Sequence, residues 1–186
     1  MEKQYILVPI LFLVLSVCSM VYAGVGNPLG LVTDEELEKT WPEIESFWLS
    51  GTLGSFKGED AIEIVYRIFV HPREAGAVVI SSGRTESFIK YKEVVYNLGQ
   101  LGYSVYIHDH RGQGFSGRMA KDSQKGHVWD FNDYVLDLKT FYDLKVAPGK
   151  HKNLFLLAHS MGGGIATRYI EKYPTDFKAA ALSSPM

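Results

Sequence analysis

Residues 153–173 constrain the fold more than any other stretch. An apolar run, 153–157, leads into Ala158-His159-Ser160-Met161-Gly162, and the helix-forming residues Ile165 to Tyr169 follow at once. A strand that becomes a helix within so few residues leaves almost no room at its turn. The positions two before and two after the serine must then be small, as Ala158 and Gly162 are. A turn of this kind holds the Ser160 Oγ out at the end of a strand, and it presupposes a sheet onto which the helix can fold back.

The rest of the chain supplies that sheet. Thr33-Asp34-Glu35-Glu36 reads as a capping box opening a helix toward Trp48. Residues 51–57 and 61–70 are strand-like and separated by Gly58-Glu59-Asp60, which predicts an antiparallel hairpin. Residues 75–81 form a short apolar strand. A helix is predicted over 88–101, with Tyr91, Val94, Val95, Leu98 and Leu101 at helical spacing, and a buried strand over 103–108. After a glycine-rich loop, 109–126, a second helix carries Phe131, Tyr134, Val135, Leu138, Phe141 and Tyr142 on one face. Pro148-Gly149 stops it. The elbow strand, its helix to Tyr173-Pro174 and a last apolar strand over 178–183 complete the series. This alternation predicts an α/β fold: a mostly parallel sheet with an N-terminal antiparallel hairpin and helices on both faces. The last strand is expected to form an apolar edge.

Composition narrows the function classes. With 186 residues, 46% of them hydrophobic and 22% charged, the chain fits one globular domain. A formal net charge of −2 and the lack of any basic stripe argue against nucleic acid as a partner. The single cysteine, Cys18, rules out an internal disulfide and a thiolate-rich metal site. Residues 5–22 are almost uninterruptedly apolar and end in Val21-Tyr22-Ala23 before Gly24. Residues 1–23 therefore read as a signal peptide or a membrane anchor, a lipid anchor at Cys18 being disfavoured by the bulk of Val17. Either reading implies an exported protein, periplasmic or secreted, with 24–186 as the folded domain.

A serine hydroxyl is a poor nucleophile at neutral pH unless a base adjoins it, and acyl transfer also needs two N–H donors aimed at the developing oxyanion. One candidate donor is the backbone N–H of Met161, where the helix N-terminus adds partial positive charge. The other is the backbone N–H of Arg84 in Ser82-Gly83-Arg84-Thr85-Glu86, the loop after the third strand.

Several motifs agree on a family. Asp109-His110-Arg111-Gly112-Gln113-Gly114-Phe115-Ser116-Gly117-Arg118 resembles the loop after the fourth strand in bacterial lysophospholipases and monoacylglycerol lipases of the serine aminopeptidase S33 type. Gly126-His127-Val128 with Phe131-Asn132-Asp133-Tyr134 and Asp137 resembles the segment leading into their next helix. Ala158-His159-Ser160-Met161-Gly162-Gly163 is similar to their elbow, with Ala where many relatives have Gly. Ser82-Gly83 stands where many monoacylglycerol lipases have His-Gly. The likeness covers residues 49–186, with its motifs in the family's order.

The resemblance implies an α/β-hydrolase that cleaves ester bonds of monoacyl lipids through an acyl-enzyme on Ser160, with Arg84 and Met161 as oxyanion donors and no cofactor. It implies lysophospholipid or monoacylglycerol as substrate and a membrane surface as the place of work. In the family the acid, the histidine base and a substrate-covering cap all follow the sixth strand. The expectation is thus a partial domain, lacking the C-terminal strands and cap, with impaired turnover. A non-catalytic remnant, a lipid-binding protein, and a general esterase or peptidase on the same fold are the alternatives. None of the present histidines is expected to substitute. His159 should project away from Oγ, His108 and His110 read as polar loop positions, His127 as a residue ordering its loop by hydrogen bonding, and His71 and His151 as turn residues. Asp133 and Asp137 read as a solvated or N-terminal helix face.

Overall fold

The computed structural model of the chain describes residue 27 and residues 29–122 and 124–186. The signal-peptide or anchor expectation for 1–23 lies outside the described residues. Among those described, no helix is long and apolar enough to cross a membrane.

Helix α1, Asp34–Ser50, opens on the expected capping box, with the Glu36 carboxylate accepting from the Thr33 N–H (3.2 Å) and hydroxyl (3.0 Å). Strands β1, Thr52–Lys57, and β2, Glu63–Phe69, pair antiparallel from Thr52↔Ile68 to Lys57↔Glu63, as the hairpin reading predicts. They join β3, Gly76–Ser81, β4, Tyr103–His108, β5, Leu154–His159, and β6, Ala179–Ser183, in one sheet of order β1-β2-β4-β3-β5-β6. β2 runs antiparallel to β4; the β4, β3, β5, β6 ladders are parallel. Among the described residues β6 pairs with β5 alone, at the sheet edge.

The helix predicted over 88–101 begins as a 3-10 turn, Phe88–Tyr91, before α2, Lys92–Gln100. Helix α3, Asn132–Phe141, relaxes into a π turn, Tyr142–Val146, and a 3-10 turn, Ala147–Gly149, that contains the predicted Pro148 stop. Helix α4, Met161–Lys172, follows the elbow.

Strand side chains alternate between two cores. Val78 and Ile80 of β3, Val105 and Ile107 of β4 and Leu157 of β5 pack with Trp48, Val95 and Leu98 under α1 and α2. Ala77, Val79, Tyr106, Leu156 and Ala158 face the opposite way, against Val135, Leu138, Ile165 and Tyr169 of α3 and α4. The period of two in a strand makes this sorting automatic where apolar residues fill both faces, as from Gly76 to Ile80 of β3, a strand buried at all six positions.

This topology also locates the site. From β3 the chain moves to β4 on one side; it then crosses back to β5 and β6 on the other. The connections after β3 and β5 leave toward opposite faces, so a crevice opens between them at the carboxyl ends of the strands. The loop after β3 and the Ser160 turn are its two walls.

Candidate active site

Ser160 adopts φ 51° and ψ −119°, a conformation few non-glycine residues take. Such a residue is strained and persists only where its surroundings fix it. Here they do. The Ser160 N–H donates to the Ser183 carbonyl (3.0 Å) at the end of β6, and the Ser160 carbonyl accepts from Gly163 N–H (2.8 Å) and Met186 N–H (3.1 Å). Gly162 is obligatory for a second reason: a Cβ there would run into the Ser81 carbonyl oxygen and stand 2.5 Å from that of Ser82. The expected small residues thus let the elbow press against the end of β3. The Ser160 hydroxyl makes no capping hydrogen bond to α4, so among the described residues it stands uncommitted at a helix N-terminus, beside the Met161 N–H and the positive end of the helix dipole.

Across the crevice, the 83–86 loop is tied down on both sides of Arg84. The Gly83 N–H donates to Glu86 Oε2 (2.7 Å) and the Thr85 N–H to Gln113 Oε1 (3.1 Å). Thr85 takes a left-handed φ of 63°. Burial works against a charge on Glu86, but hydrogen bonds from Lys90, Tyr91 and Gly83 prevail and hold its carboxyl below the usual range. Gly83 lies against the ring of His159, since a Cβ on it would come within 3.2 Å of His159 Cδ2. The loop therefore adjoins the elbow, and Arg84 and Ser160 belong to one locality.

The glycine-rich loop after β4 is the frame of this locality. Asp109, wholly buried, accepts from Phe88 N–H (2.6 Å), Phe115 N–H (2.7 Å) and Ser87 Oγ (3.2 Å). Arg111, wholly buried, donates through Nε and Nη2 to both oxygens of Asp137 (2.6 and 2.8 Å), through Nη1 to Asp133 (3.0 Å), and through Nη2 to the Glu59 carbonyl (3.1 Å). Burial opposes the guanidinium charge, yet Asp137 and then Asp133 outweigh it and raise its pKa. Gly112 and Gly114 have left-handed φ of 80° and 53°, and a Cβ on Gly114 would collide with the Asp109 carboxylate.

Several sequence expectations need correction here. Asp137 is buried and paired rather than part of a solvated face, because the arginine that neutralises it comes from a loop no periodicity could connect to it. His108 and His110 are wholly buried rather than polar loop positions. Their rings pack edge to face at 4.8 Å, and His110 Nε2 lies 3.1 Å from Ser81 Oγ. Burial, reinforced for His108 by its neighbour, keeps both neutral: His110 is pulled down to about 4 and His108 well below its ordinary value. His127 packs its ring edge to face against Trp129 at 4.4 Å, with its Nε2 unpartnered. His151 Nδ1 meets Glu74 (2.6 Å), His71 Nδ1 accepts from the Arg73 N–H (3.3 Å), and His159 Nε2 lies 4.0 Å from Glu86. None of the six pairs with Ser160. Gln113 and Glu86 stood inside recognised motifs without an assigned role; a long polar side chain between two glycines was the available signal. Among the described residues no group of three His, Cys, Asp or Glu side chains is disposed to hold a metal.

The family described as serine aminopeptidase, S33, matches residues 72–186. The chain belongs to that family. Over 147 residues this S33 chain is 43% identical to lysophospholipase L2 of Escherichia coli strain K12, covering 79% of this chain and 43% of that protein. Over 134 residues it is 35% identical to the monoacylglycerol lipase of Mycolicibacterium smegmatis, covering 70% of this chain and 45% of the relative. The chain thus spans under half the length of these relatives. Among solved structures, an epoxide hydrolase mutant of Vigna radiata superposes with a TM-score of 0.58 at 20% identity, covering 72% of this chain and 38% of that one. A probable hydrolytic enzyme of Pseudomonas aeruginosa PAO1 gives 0.59 at 19% identity, covering 73% and 41%. These likenesses establish the α/β-hydrolase fold of the S33 chain.

Proposed function

We propose that this S33 chain carries the nucleophile and oxyanion half of an acyl-transfer site for ester bonds of monoacyl lipids, lysophospholipids or monoacylglycerols. One observation carries the reading: Ser160 is held strained at a helix N-terminus with its hydroxyl uncommitted, facing a loop whose central N–H, that of Arg84, has no acceptor among the described residues. In the proposed reaction Ser160 Oγ attacks the ester carbonyl and its proton passes to a histidine base. The carbonyl oxygen, now anionic, takes the Arg84 and Met161 N–H groups as donors. Collapse expels the alcohol, lysolipid backbone or glycerol, with that proton, and water then releases the fatty acid from Ser160 by the same route.

No histidine of the chain is disposed to be that base, so the proposal assigns base and acid to the part of the relatives' length that this chain does not span. For the chain by itself it implies slow turnover. The lipid substrate is supported by lysophospholipase L2 at 43% identity; the same chemistry would run on an aminoacyl ester. Export through residues 1–23, as signal or anchor, would bring the site to a membrane surface, and sequencing the mature N-terminus tests whether that segment is removed.

The test of the whole reading is an alkyl fluorophosphonate followed by peptide mapping. Adduct on Ser160, absent from Ser160→Ala, is the expected result, with faster turnover of lysophospholipid or monoglyceride than of aminoacyl esters when the relatives' remaining region is supplied. Adduct on another residue, or none with that region supplied, overturns it and leaves a lipid-binding role.

A further inference from the structure

Gln113 lies 7% exposed between Gly112 and Gly114, and its whole amide is directed at the 83–86 loop. Nε2 donates to the Gly83 carbonyl (2.8 Å) and the Glu86 carbonyl (2.9 Å), while Oε1 accepts the Thr85 N–H (3.1 Å). The Gly83 carbonyl and the Arg84 N–H share one planar trans peptide, in which they point in opposite directions. Pinning the carbonyl toward Gln113 therefore turns the Arg84 N–H away from it. The next peptide is pinned through its other end, the Thr85 N–H, and its Arg84 carbonyl takes the Thr85 hydroxyl proton (2.6 Å). Gly83 N–H is already occupied by Glu86. Of the three N–H groups at 83–85, only that of Arg84 is left for a ligand.

We propose that Gln113 is the positioning residue of the oxyanion hole: one buried amide straddles two successive peptide planes and fixes the direction of the Arg84 N–H. The inference rests on the acyl-transfer reading of Ser160. It goes further by naming what holds the donor in place. The left-handed Thr85 makes such a clamp necessary, since a strained non-glycine turn released from its partners rotates its peptides.

The experiment measures phosphonylation of Ser160 against fluorophosphonate concentration in the full chain with the relatives' remaining region supplied, with amide hydrogen exchange on the same proteins. Gln113→Leu is expected to lower the saturating rate about ten- to a hundredfold with the half-saturating concentration unchanged. Thr85 exchange should rise while Gly163 keeps its protection. Gln113→Glu keeps the acceptor for Thr85 but sets a carboxylate against two carbonyl oxygens. Its rate relative to the wild type should be low at pH 8 and recover toward pH 5, where the introduced carboxyl regains a donor. Gln113→Leu labelling at the wild-type rate, or a pH-independent ratio for Gln113→Glu, overturns the proposal. So does an elbow that loses protection along with the loop, which would mark Gln113 as merely structural. Should Gln113→Leu not fold, the pH ratio decides alone. A wild type that takes no label with the relatives' remaining region supplied defeats the acyl-transfer reading first and the positioning role with it; a labelled wild type with unaffected variants defeats only the latter.

Discussion

In the loop after β4, Asp109, Arg111, Gln113 and Ser116 each hold two or more hydrogen bonds inside the molecule, whereas in the turn after β5 Ser160 leaves its hydroxyl out of any cap. Both segments are rich in glycine, and both carry the family resemblance equally well. Their backbones differ in the same sense. The loop puts glycine where φ is positive, at 112 and 114, and the elbow puts a serine there. A group whose hydrogen bonds are all made inside the fold contributes shape; one held strained and unpaired is available to a reactant. Recognisability in sequence does not separate the two, but hydrogen-bond accounting does.

The largest effect that could break this contrast is on the elbow. Ser160→Ala should reduce fluorophosphonate labelling by at least about a thousandfold, as loss of a nucleophile does, while the thermal midpoint stays where it was. Mass mapping after labelling checks the first half and calorimetry the second. If Ser160→Ala unfolds the protein, the hydroxyl is structural after all and the contrast fails.

The loop should answer in the opposite way. Arg111→Leu strands Asp137 in the core without its partner, and breaking a buried pair from one side costs about 3–5 kcal/mol. For a chain of this size that is a fall of about 10 °C in Tm. Removing both charges together, Arg111→Met with Asp137→Leu, should recover most of it, since the desolvation cost disappears with the pair. Urea unfolding of the wild type and the two variants checks the loss and its recovery.

Much of this was legible in the sequence. The order of elements, the hairpin, the capping box and the tight turn at Ser160 follow from local rules: periodicity, glycine and proline punctuation, and the steric demand of a strand-to-helix junction. The candidate site was legible where it is local or set by strand order. Ser160 and Met161 adjoin in sequence and Arg84 follows the third strand, but Arg111 meets Asp137 across 26 positions and Gln113 meets Gly83 across 30. No period relates such pairs. A lone Asp at a helical spacing reads as surface until the loop that neutralises it is folded over it. The two histidines misled for the same reason: His108 ends a strand and His110 begins a loop, and only the packing of α3 over them, with Phe141 4.9 Å from one ring and Tyr134 5.6 Å from the other, makes them core.

Those histidines give the next prediction, in the frame rather than the elbow. Folding holds both rings neutral, with His110 at about 4 and His108 well below its ordinary value, while the unfolded chain binds their protons near pH 6.5. Unfolding therefore takes up protons between those values, so stability is full above about pH 6.5 and falls as the pH drops toward 4. His110 alone accounts for about 3 kcal/mol across that window. Urea midpoints at pH 7, 6 and 5 should decline accordingly, and His108→Leu, which removes one buried ring with no hydrogen bond to lose, should flatten the decline. An unchanged slope would mean that the His108 ring is not held neutral by burial.

The smallest effect is the sharpest test of what the elbow's geometry stores. Ser160→Gly deletes the hydroxyl, as Ser160→Ala does, but also permits φ 51° without a Cβ clash. Relief of a strained non-glycine residue is worth about 1–3 kcal/mol. Glycine gives back about 0.5–1 kcal/mol by loosening the unfolded chain. The difference predicts that Ser160→Gly is more stable than Ser160→Ala by about 1 kcal/mol while both are equally unlabelled. Equal stabilities would show that the neighbours at Ser183, Gly163 and Met186 impose no strain on the turn, and that Ser160 is exposed without being held against its own preference. A gain for glycine would place the strain at Ser160, whose hydroxyl makes no capping hydrogen bond to the helix that follows it.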